Sequence, residues 1–220
     1  MKAKYDCAGN IIVLLDNLSN KTDDEFDQLI KFEIVSDKNV SVNIFNRDGS
    51  KAKNCLNGLR ALMNLLSLKY EIFGPTEFSQ DNILLAVGIT VKNQSEISIK
   101  HPAIEPGGTK SIDHVTLGNE HLVNWIIGDV VKIPSNYIPK LNEEYVYQMT
   151  DNILKTRVFE SGVGETGSCG SGAVAVGVSA FNRYGLTESV IDYPGGKLQV
   201  KICGDLVSLR GPTQLISCTD

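Results

Sequence analysis

Two cysteines of this chain stand in matching surroundings. Cys55 comes nine residues after Asn46 and three before Gly58; Cys169 comes nine after Glu160 and three before Gly172. In each case a polar residue closes a strand-like apolar run, a loop carries the cysteine, and a helical pattern follows. A cysteine at a helix N-terminus faces N–H groups with no intrahelical partner and the positive end of the helix dipole. That setting favours the thiolate and predicts a pKa below the free value of about 8.5. The same N–H groups form an anion site suited to a carboxylate. If the two helix ends face each other across a cleft, their sulfurs flank one α-carbon. One removes its proton, the other returns one, and donors aimed at the carboxylate stabilise the carbanion. This is the chemistry of stereochemical inversion.

Either cysteine alone would read as buried filler, which is common for free thiols. The matched contexts speak against that for the pair. Cys7, Cys203 and Cys218 lack such a context and are assigned to packing. The five cysteines form no C-x-x-C, and His101, His114 and His121 do not pair with them at zinc-finger spacing, so neither a disulfide framework nor a structural zinc site is expected.

The elements that must carry these thiols are legible in outline. Leu59, Leu62, Met63 and Leu66 recur at helical spacing within 57–70, and Leu65 and Leu68 widen the apolar face, which predicts a buried helix. Residues 171–184 predict a second helix, small and apolar on every side from Ala173 to Val178, with Gly185 as its C-terminal cap. Further helices are expected near Asp23–Phe32 and Gln148–Leu154. Strands are expected at Ile11–Leu15, Val40–Phe45, Ile83–Val91, Ile97–Lys100, Val130–Ile133, Tyr145–Met149, Lys155–Phe159, Lys197–Ile202 and Leu206–Leu209. Pro102, Pro106, Gly107 and Gly108 mark a boundary within 100–113. The expected organisation is two pseudo-symmetric halves: 1–104, completed by the C-terminal strand 206–220, with Cys55, and 105–205 with Cys169.

The 220 residues are 42% hydrophobic and 21% charged, as in folded globular chains. The net charge is -5 and the basic residues are scattered, which argues against a nucleic-acid footprint. The apolar run Ile11–Leu15 is too short for a signal core or a membrane span, so a cytoplasmic protein with no membrane partner is expected.

At these residues the chain resembles the diaminopimelate epimerase family. The similarity is carried by Gly9-Asn10, Phe26-Asp27-Gln28-Leu29, Ile44-Phe45-Asn46-Arg47-Asp48-Gly49-Ser50 and Asn57-Gly58 with Arg60. It continues through Gly118-Asn119-Glu120-His121, Gly162-Val163-Gly164-Glu165-Thr166 and Cys169-Gly170-Ser171-Gly172-Ala173. Near the end, Tyr193-Pro194-Gly195-Gly196-Lys197-Leu198 and Gly211-Pro212 are similar too. The resemblance implies an α+β fold of two related halves, each a curved, mostly antiparallel sheet around a central helix. It implies a homodimer that works without pyridoxal phosphate or any other cofactor or metal. Its reaction would interconvert LL- and meso-diaminopimelate, serving lysine and peptidoglycan synthesis. Cys55 and Cys169 would be the two bases, tuned by His121 (beside Cys55) and Glu160 (beside Cys169). Substrate contacts would fall on Asn10, Gln28, Asn46, Asn119, Asn142 and Glu160, with the N–H groups of Leu56, Asn57, Gly170 and Ser171 cradling the carboxylate.

Four positions depart from the family. Leu56 replaces a glycine and is expected to add bulk at the mouth of the site. Ser161 replaces the arginine that grips the distal carboxylate, and a serine supplies no bidentate charged contact. Ile11 stands for Asp, and Glu120 for Pro. Ser161 therefore keeps open a racemase of another amino acid, such as histidine, and Leu56 and Ser161 leave open a non-catalytic binder. Gly162-Val163-Gly164-Glu165-Thr166-Gly167 also fits G-x-G-x-x-G, a nucleotide-binding alternative, although Glu165 sits where a pyrophosphate would approach. A Cys–His hydrolase using Cys55 and His121 would leave Cys169 without a role.

Overall fold

The computed structural model describes residues 1–17, 25–106, 110–128, 133–134 and 136–219. Contacts divide the chain into two units: Met1–Ile99 with Arg210–Asp220, and Lys100–Leu209.

The first unit contains β1 (Lys2–Asp6), β2 (Ile11–Asp16), β3 (Gln28–Ser36), β4 (Asn39–Asn46), α1 (Leu56–Lys69), β5 (Thr76–Gln80), β6 (Ile83–Val91) and β7 (Gln94–Lys100), which ends at the unit boundary. The second contains β8 (Ala103–Pro106), β9 (Ile112–Leu117), β10 (Asn119–Trp125), β11 (Asn142–Thr150), β12 (Ile153–Glu160), β13 (Gly164–Thr166), α2 (Gly170–Tyr184), β14 (Glu188–Tyr193), β15 (Gly196–Cys203) and β16 (Leu206–Arg210). The last strand, β17 (Gln214–Thr219), returns to the first unit and pairs antiparallel with β1.

Described separately, the two units have one pairing scheme. In the first, β1–β2 is antiparallel, β2–β3 parallel, β3–β4 antiparallel, β4–β5 parallel and β5–β6 antiparallel. In the second, β9–β10 is antiparallel, β10–β11 parallel, β11–β12 antiparallel, β12–β14 parallel and β14–β15 antiparallel. The last parallel step spans the helix in both, as a parallel crossover requires. The registers match as well: Gln28 pairs with Ile12 and Asn46, while Asn142 pairs with His121 and is followed by Glu143 opposite Phe159. Asn10 and Asn119 thus occupy equivalent places, each just after a glycine with positive φ (Gly9, 80°; Gly118, 83°).

Both helices are buried far beyond one stripe. Leu56 to Ser67 of α1 are all buried, with Leu59, Leu62, Met63 and Leu66 fully so. Each such side chain contributes about 1.5–3 kcal/mol of burial. In α2 the run Gly170–Ala180 is buried, and its small residues have a steric cause. A Cβ on Gly177 would stand 2.5 Å from Val200 Cγ1, so only a bare backbone lets α2 approach β15 this closely. Gly185 caps the helix with φ 71°, as its sequence position predicts. Lower down, Ser179 and Arg183 bind Asp113, and Trp125 Nε1 donates to Ser179 Oγ at 2.8 Å.

Two expected helices are strands. Of the helix expected near Asp23–Phe32, residues 23 and 24 lie outside the described residues and Gln28–Phe32 belong to β3, where Ile30 and Phe32 are buried and Lys31 and Glu33 are more exposed; the period is two, and it overrides local propensity. Residues 148–150 end β11 and 153–154 begin β12, joined by a two-residue turn with Asp151 at φ 53°. Of the strand expected at Val130–Ile133, residues 130–132 lie outside the described residues and Ile133 is not in a strand. Among the described residues no helix is long and apolar enough to cross a membrane.

Candidate active site

Each of the two cysteines is the N-cap of its unit's helix. The Cys55 sulfur accepts the Gly58 N–H at 3.3 Å, and the Cys169 sulfur accepts the Gly172 N–H at 3.4 Å. Oxygen usually plays this part. Sulfur is a weak acceptor as a thiol, so the bond strengthens with negative charge on it. A Cβ at either glycine would meet a neighbouring side chain. A Cβ on Gly58 would lie 2.5 Å from Ile30 Cδ1, and one on Gly172 would overlap Glu144 Oε1 and reach 3.1 Å from Glu144 Cδ.

Around Cys55 the first unit assembles a polar chain. The sulfur lies 3.8 Å from Gln28 Oε1, which accepts the Asn10 amide at 3.0 Å. Asn57 Nδ2 donates to Asn10 Oδ1 at 3.2 Å, and Arg60 Nη2 donates to Asn57 Oδ1 at 2.7 Å. Arg60 is fully buried and also donates from Nη1 to the Pro212 carbonyl at 3.3 Å. Burial pulls its pKa down, opposed by the Cys7 and Cys55 sulfurs. Asp27 anchors the edge of this group: Oδ2 accepts the Ile11 N–H at 2.7 Å, and Oδ1 pairs with Arg47 at 2.7 Å. Asn46 stands apart from the chain, bonded to Ser50 Oγ at 3.0 Å. Leu56, expected to add bulk at the mouth, is buried at the first position of α1.

In the second unit Cys169 Sγ lies 3.3 Å from Ser171 Oγ. Glu160, at the end of β12, accepts from Thr166 Oγ1 at 2.6 Å. Asn142 and Ser161 are joined, since Asn142 Oδ1 accepts the Ser161 N–H at 3.1 Å, while Ser161 Oγ donates to the Lys140 carbonyl at 2.8 Å. Asn119 opens β10. His121 is sealed from solvent, with Nδ1 2.8 Å from Glu144 Oε1, whose side chain is equally sealed. The lowered pKa expected for a helix-capping thiol does not hold at Cys169. Burial, then the charges of Glu160 and Glu144, push it well above the usual thiol value, and the Ser171 and Gly172 hydrogen bonds oppose this only partly. Burial also raises the Tyr193 hydroxyl, and Glu144, Cys169 and Glu160 add to the effect.

Three residues of these surroundings had no assigned role from sequence: Arg60, Glu144 and Tyr193. Arg60 carried a signal, a lone charge inside the all-apolar run Leu59–Met63. Glu144 did as well, at an inward position of β11 two residues before buried Val146. The G-x-G-x-x-G segment is a strand hairpin, β12 and β13 paired antiparallel, with Glu165 bonded to Arg157 at 2.6 and 2.7 Å. A phosphate loop instead needs a direct strand-to-helix turn with open N–H groups. Among the described residues no group of three His, Cys, Asp or Glu could hold a metal ion.

No protein-family model matches the chain. Sequence comparison finds diaminopimelate epimerases: one from Acinetobacter baumannii is 29% identical over 227 residues, covering 86% of this chain and 79% of that protein. One from Bartonella tribocorum is 29% identical over 245 residues, covering 90% and 86%. Among solved structures, a PhzF-family phenazine biosynthesis protein from Enterococcus faecalis superposes with TM-score 0.73 at 13% identity, covering 99% of this chain and 98% of that one. A hydroxyproline epimerase from Agrobacterium vitis gives TM-score 0.67 at 11% identity, covering 98% and 90%. The chain is therefore similar in sequence to the diaminopimelate epimerases over most of its length, and it shares its fold with the PhzF-like proteins and epimerases.

Proposed function

We propose that this protein is an amino-acid epimerase that inverts an α-carbon with two thiols, Cys55 and Cys169, and no cofactor. The observation that carries this reading is the repetition: two units with one pairing scheme each present a single cysteine as the cap of a buried helix. Each unit is read as a curved sheet around its helix, supported by the burial of α1 and α2 on nearly every side.

Inversion requires one sulfur on each face of the α-carbon. A thiolate removes the α-proton and becomes a thiol; the opposite thiol gives up its proton to the carbanion and becomes the thiolate. The reverse reaction exchanges these roles. Charge that builds on the substrate carboxylate would be met by the N–H groups of Leu56, Asn57, Gly170 and Ser171 at the positive ends of the helices. His121 and Glu160 would set the protonation of the pair, and Asn10, Gln28, Asn46, Asn119 and Asn142 would hold the substrate. Diaminopimelate is the leading substrate, because the similar sequences bear that name. A second reading, a racemase of an amino acid with no distal carboxylate such as histidine, is favoured by Ser161, whose hydroxyl is already given to the Lys140 carbonyl. The proposal includes a cytoplasmic homodimer, checked by sedimentation.

The test is α-proton exchange in deuterium oxide, followed by NMR on reduced protein. LL-diaminopimelate, L-histidine and other amino acids are the substrates, with Cys55→Ala and Cys169→Ala beside the wild type. Deuterium entry with inversion, lost in both variants, is the expected result. No exchange with any substrate from folded, reduced protein would sink the proposal.

A further inference from the structure

The matching registers allow the two units to be compared residue by residue, and one buried pair changes from apolar to ionisable. Ile30 on β3 stands opposite Leu14 and Ile44; Glu144 on β11 stands opposite Val123 and Val158. Ile12 pairs with Gln28 as His121 pairs with Asn142. Ile30 and Glu144 each abut the first-turn glycine of the helix, Gly58 or Gly172. Where the first unit has two isoleucines, the second therefore has a histidine and a glutamate. All four side chains are sealed from solvent. Burying an ionisable pair costs more than burying apolar side chains of similar size unless its geometry is very good. The pair is also incompletely satisfied, since His121 Nε2 and Glu144 Oε2 have no hydrogen-bond partner among the described residues. The first unit shows that the fold holds together with isoleucine at both places, so stability does not explain the polar pair.

We propose that Glu144 is a positioning residue of the Cys169 half: its buried carboxylate, held by His121 against the first turn of α2, biases this thiol to remain protonated. With a proton on Nδ1, His121 donates to Oε1 and holds the carboxylate beside the Cys169 cap, where the charge of Glu144 acts on the sulfur. A like charge nearby disfavours ionisation of the sulfur. Among the described residues, the charged and titratable groups around this end of α2 are Glu144 on β11, His121 on β10, Glu160 on β12 and Tyr193 on β14. Asp113 on β9 and Arg183 neutralise each other at the far end of the helix. In the first unit the corresponding place holds Ile30, and the buried Arg60 cation interacts with Cys55. This inference rests on the two-thiol reading for its purpose, where Cys169 would be the acid of the resting pair. Its test does not depend on that reading.

The test is the rate of iodoacetamide alkylation at each cysteine of the full chain, resolved by peptide mass spectrometry across alkaline pH. Glu144→Gln keeps the shape and the acceptor for Nδ1–H while removing the charge. The double variant His121→Ile/Glu144→Ile copies the first unit and serves if the glutamine variant does not fold. Circular dichroism checks each fold. The expected result is a Cys169 profile displaced by about 1 unit to lower pH, hence about tenfold faster alkylation below its midpoint, with the Cys55 profile in place. An unmoved Cys169 profile in a folded variant, or equal displacement at both cysteines, overturns the proposal. α-Proton exchange is assayed separately: its absence in wild type would remove the epimerase reading and leave the alkylation result standing.

Discussion

The Cys55 sulfur lies 3.8 Å from Oε1 of Gln28, the same oxygen that takes the Asn10 amide at 3.0 Å. Gln28 comes from β3 and Cys55 caps α1, so this oxygen ties the sheet to the mouth of the helix. Gln28→Leu leaves Asn10 Nδ2 with only the long bond to Asp27 at 3.4 Å. A lost hydrogen bond and a poorly satisfied amide cost about 1–2 kcal/mol. Urea denaturation is expected to show that loss, and α-proton exchange to slow about tenfold, about 1.4 kcal/mol in barrier. A variant matching wild type in both would show that the oxygen does not organise the site.

The two first-turn glycines should respond differently to one methyl group. Gly→Ala inside a helix gains about 1 kcal/mol from propensity, and overpacking costs about 1–3 kcal/mol. At Gly58 the new Cβ meets Ile30 Cδ1, the free end of a side chain that can rotate away. At Gly172 it meets a carboxylate pinned by His121 at 2.8 Å. Gly172→Ala is therefore expected to destabilise by about 1–3 kcal/mol and Gly58→Ala to stay near neutral, both read from urea midpoints. The reverse order would contradict the difference in packing.

Alkaline pH should weaken the fold through buried thiols. Burial pushes the Cys7 pKa from 9.0 to about 11, with Arg60 opposing the shift. Because the folded value is raised, the folded chain keeps a proton that the unfolded chain releases. The stabilisation is whole below pH 9.0 and is lost as pH rises toward about 11. Its ceiling is roughly 2–3 kcal/mol, from about 1.4 kcal/mol per pH unit. Cys169 acts in the same direction. Urea midpoints measured across this range should fall less steeply for Cys7→Ala than for wild type; equal slopes would remove Cys7 from the account.

Ser161 is exposed and held to Asn142 and the Lys140 carbonyl. Ser161→Arg would supply a planar, bidentate cation for a second carboxylate. The ratio of kcat/KM for LL-diaminopimelate to that for L-histidine is expected to rise about tenfold or more, since a charge-assisted bond contributes about 1.5–3 kcal/mol. An unchanged ratio would mean that position 161 does not face the distal end of the substrate.

Local sequence determined what depends on neighbours along the chain. The apolar spacing of 57–70 made α1 legible, the left-handed requirement at Gly185 marked the end of α2, and the equal cysteine-to-glycine spacings marked both helix entrances. The run Ile83–Val91 was legible as β6 for the same reason. Where local signals conflicted, pairing decided: the stretch ending at Phe32 became β3 because β2 and β4 flank it and bury Ile30 and Phe32. Only the tertiary structure could join His121 to Glu144, 23 residues apart on adjacent strands, or set Arg60 beside Asn57 and Pro212. It also reversed the expectation for Cys169. A helix N-terminus is written in the sequence as a capping position, but a thiol pKa is the sum of that local dipole with burial and with charges from other strands. At Cys169 burial and the carboxylates of Glu160 and Glu144 outweigh the cap, and neither burial nor through-space charge has a local signature in the chain.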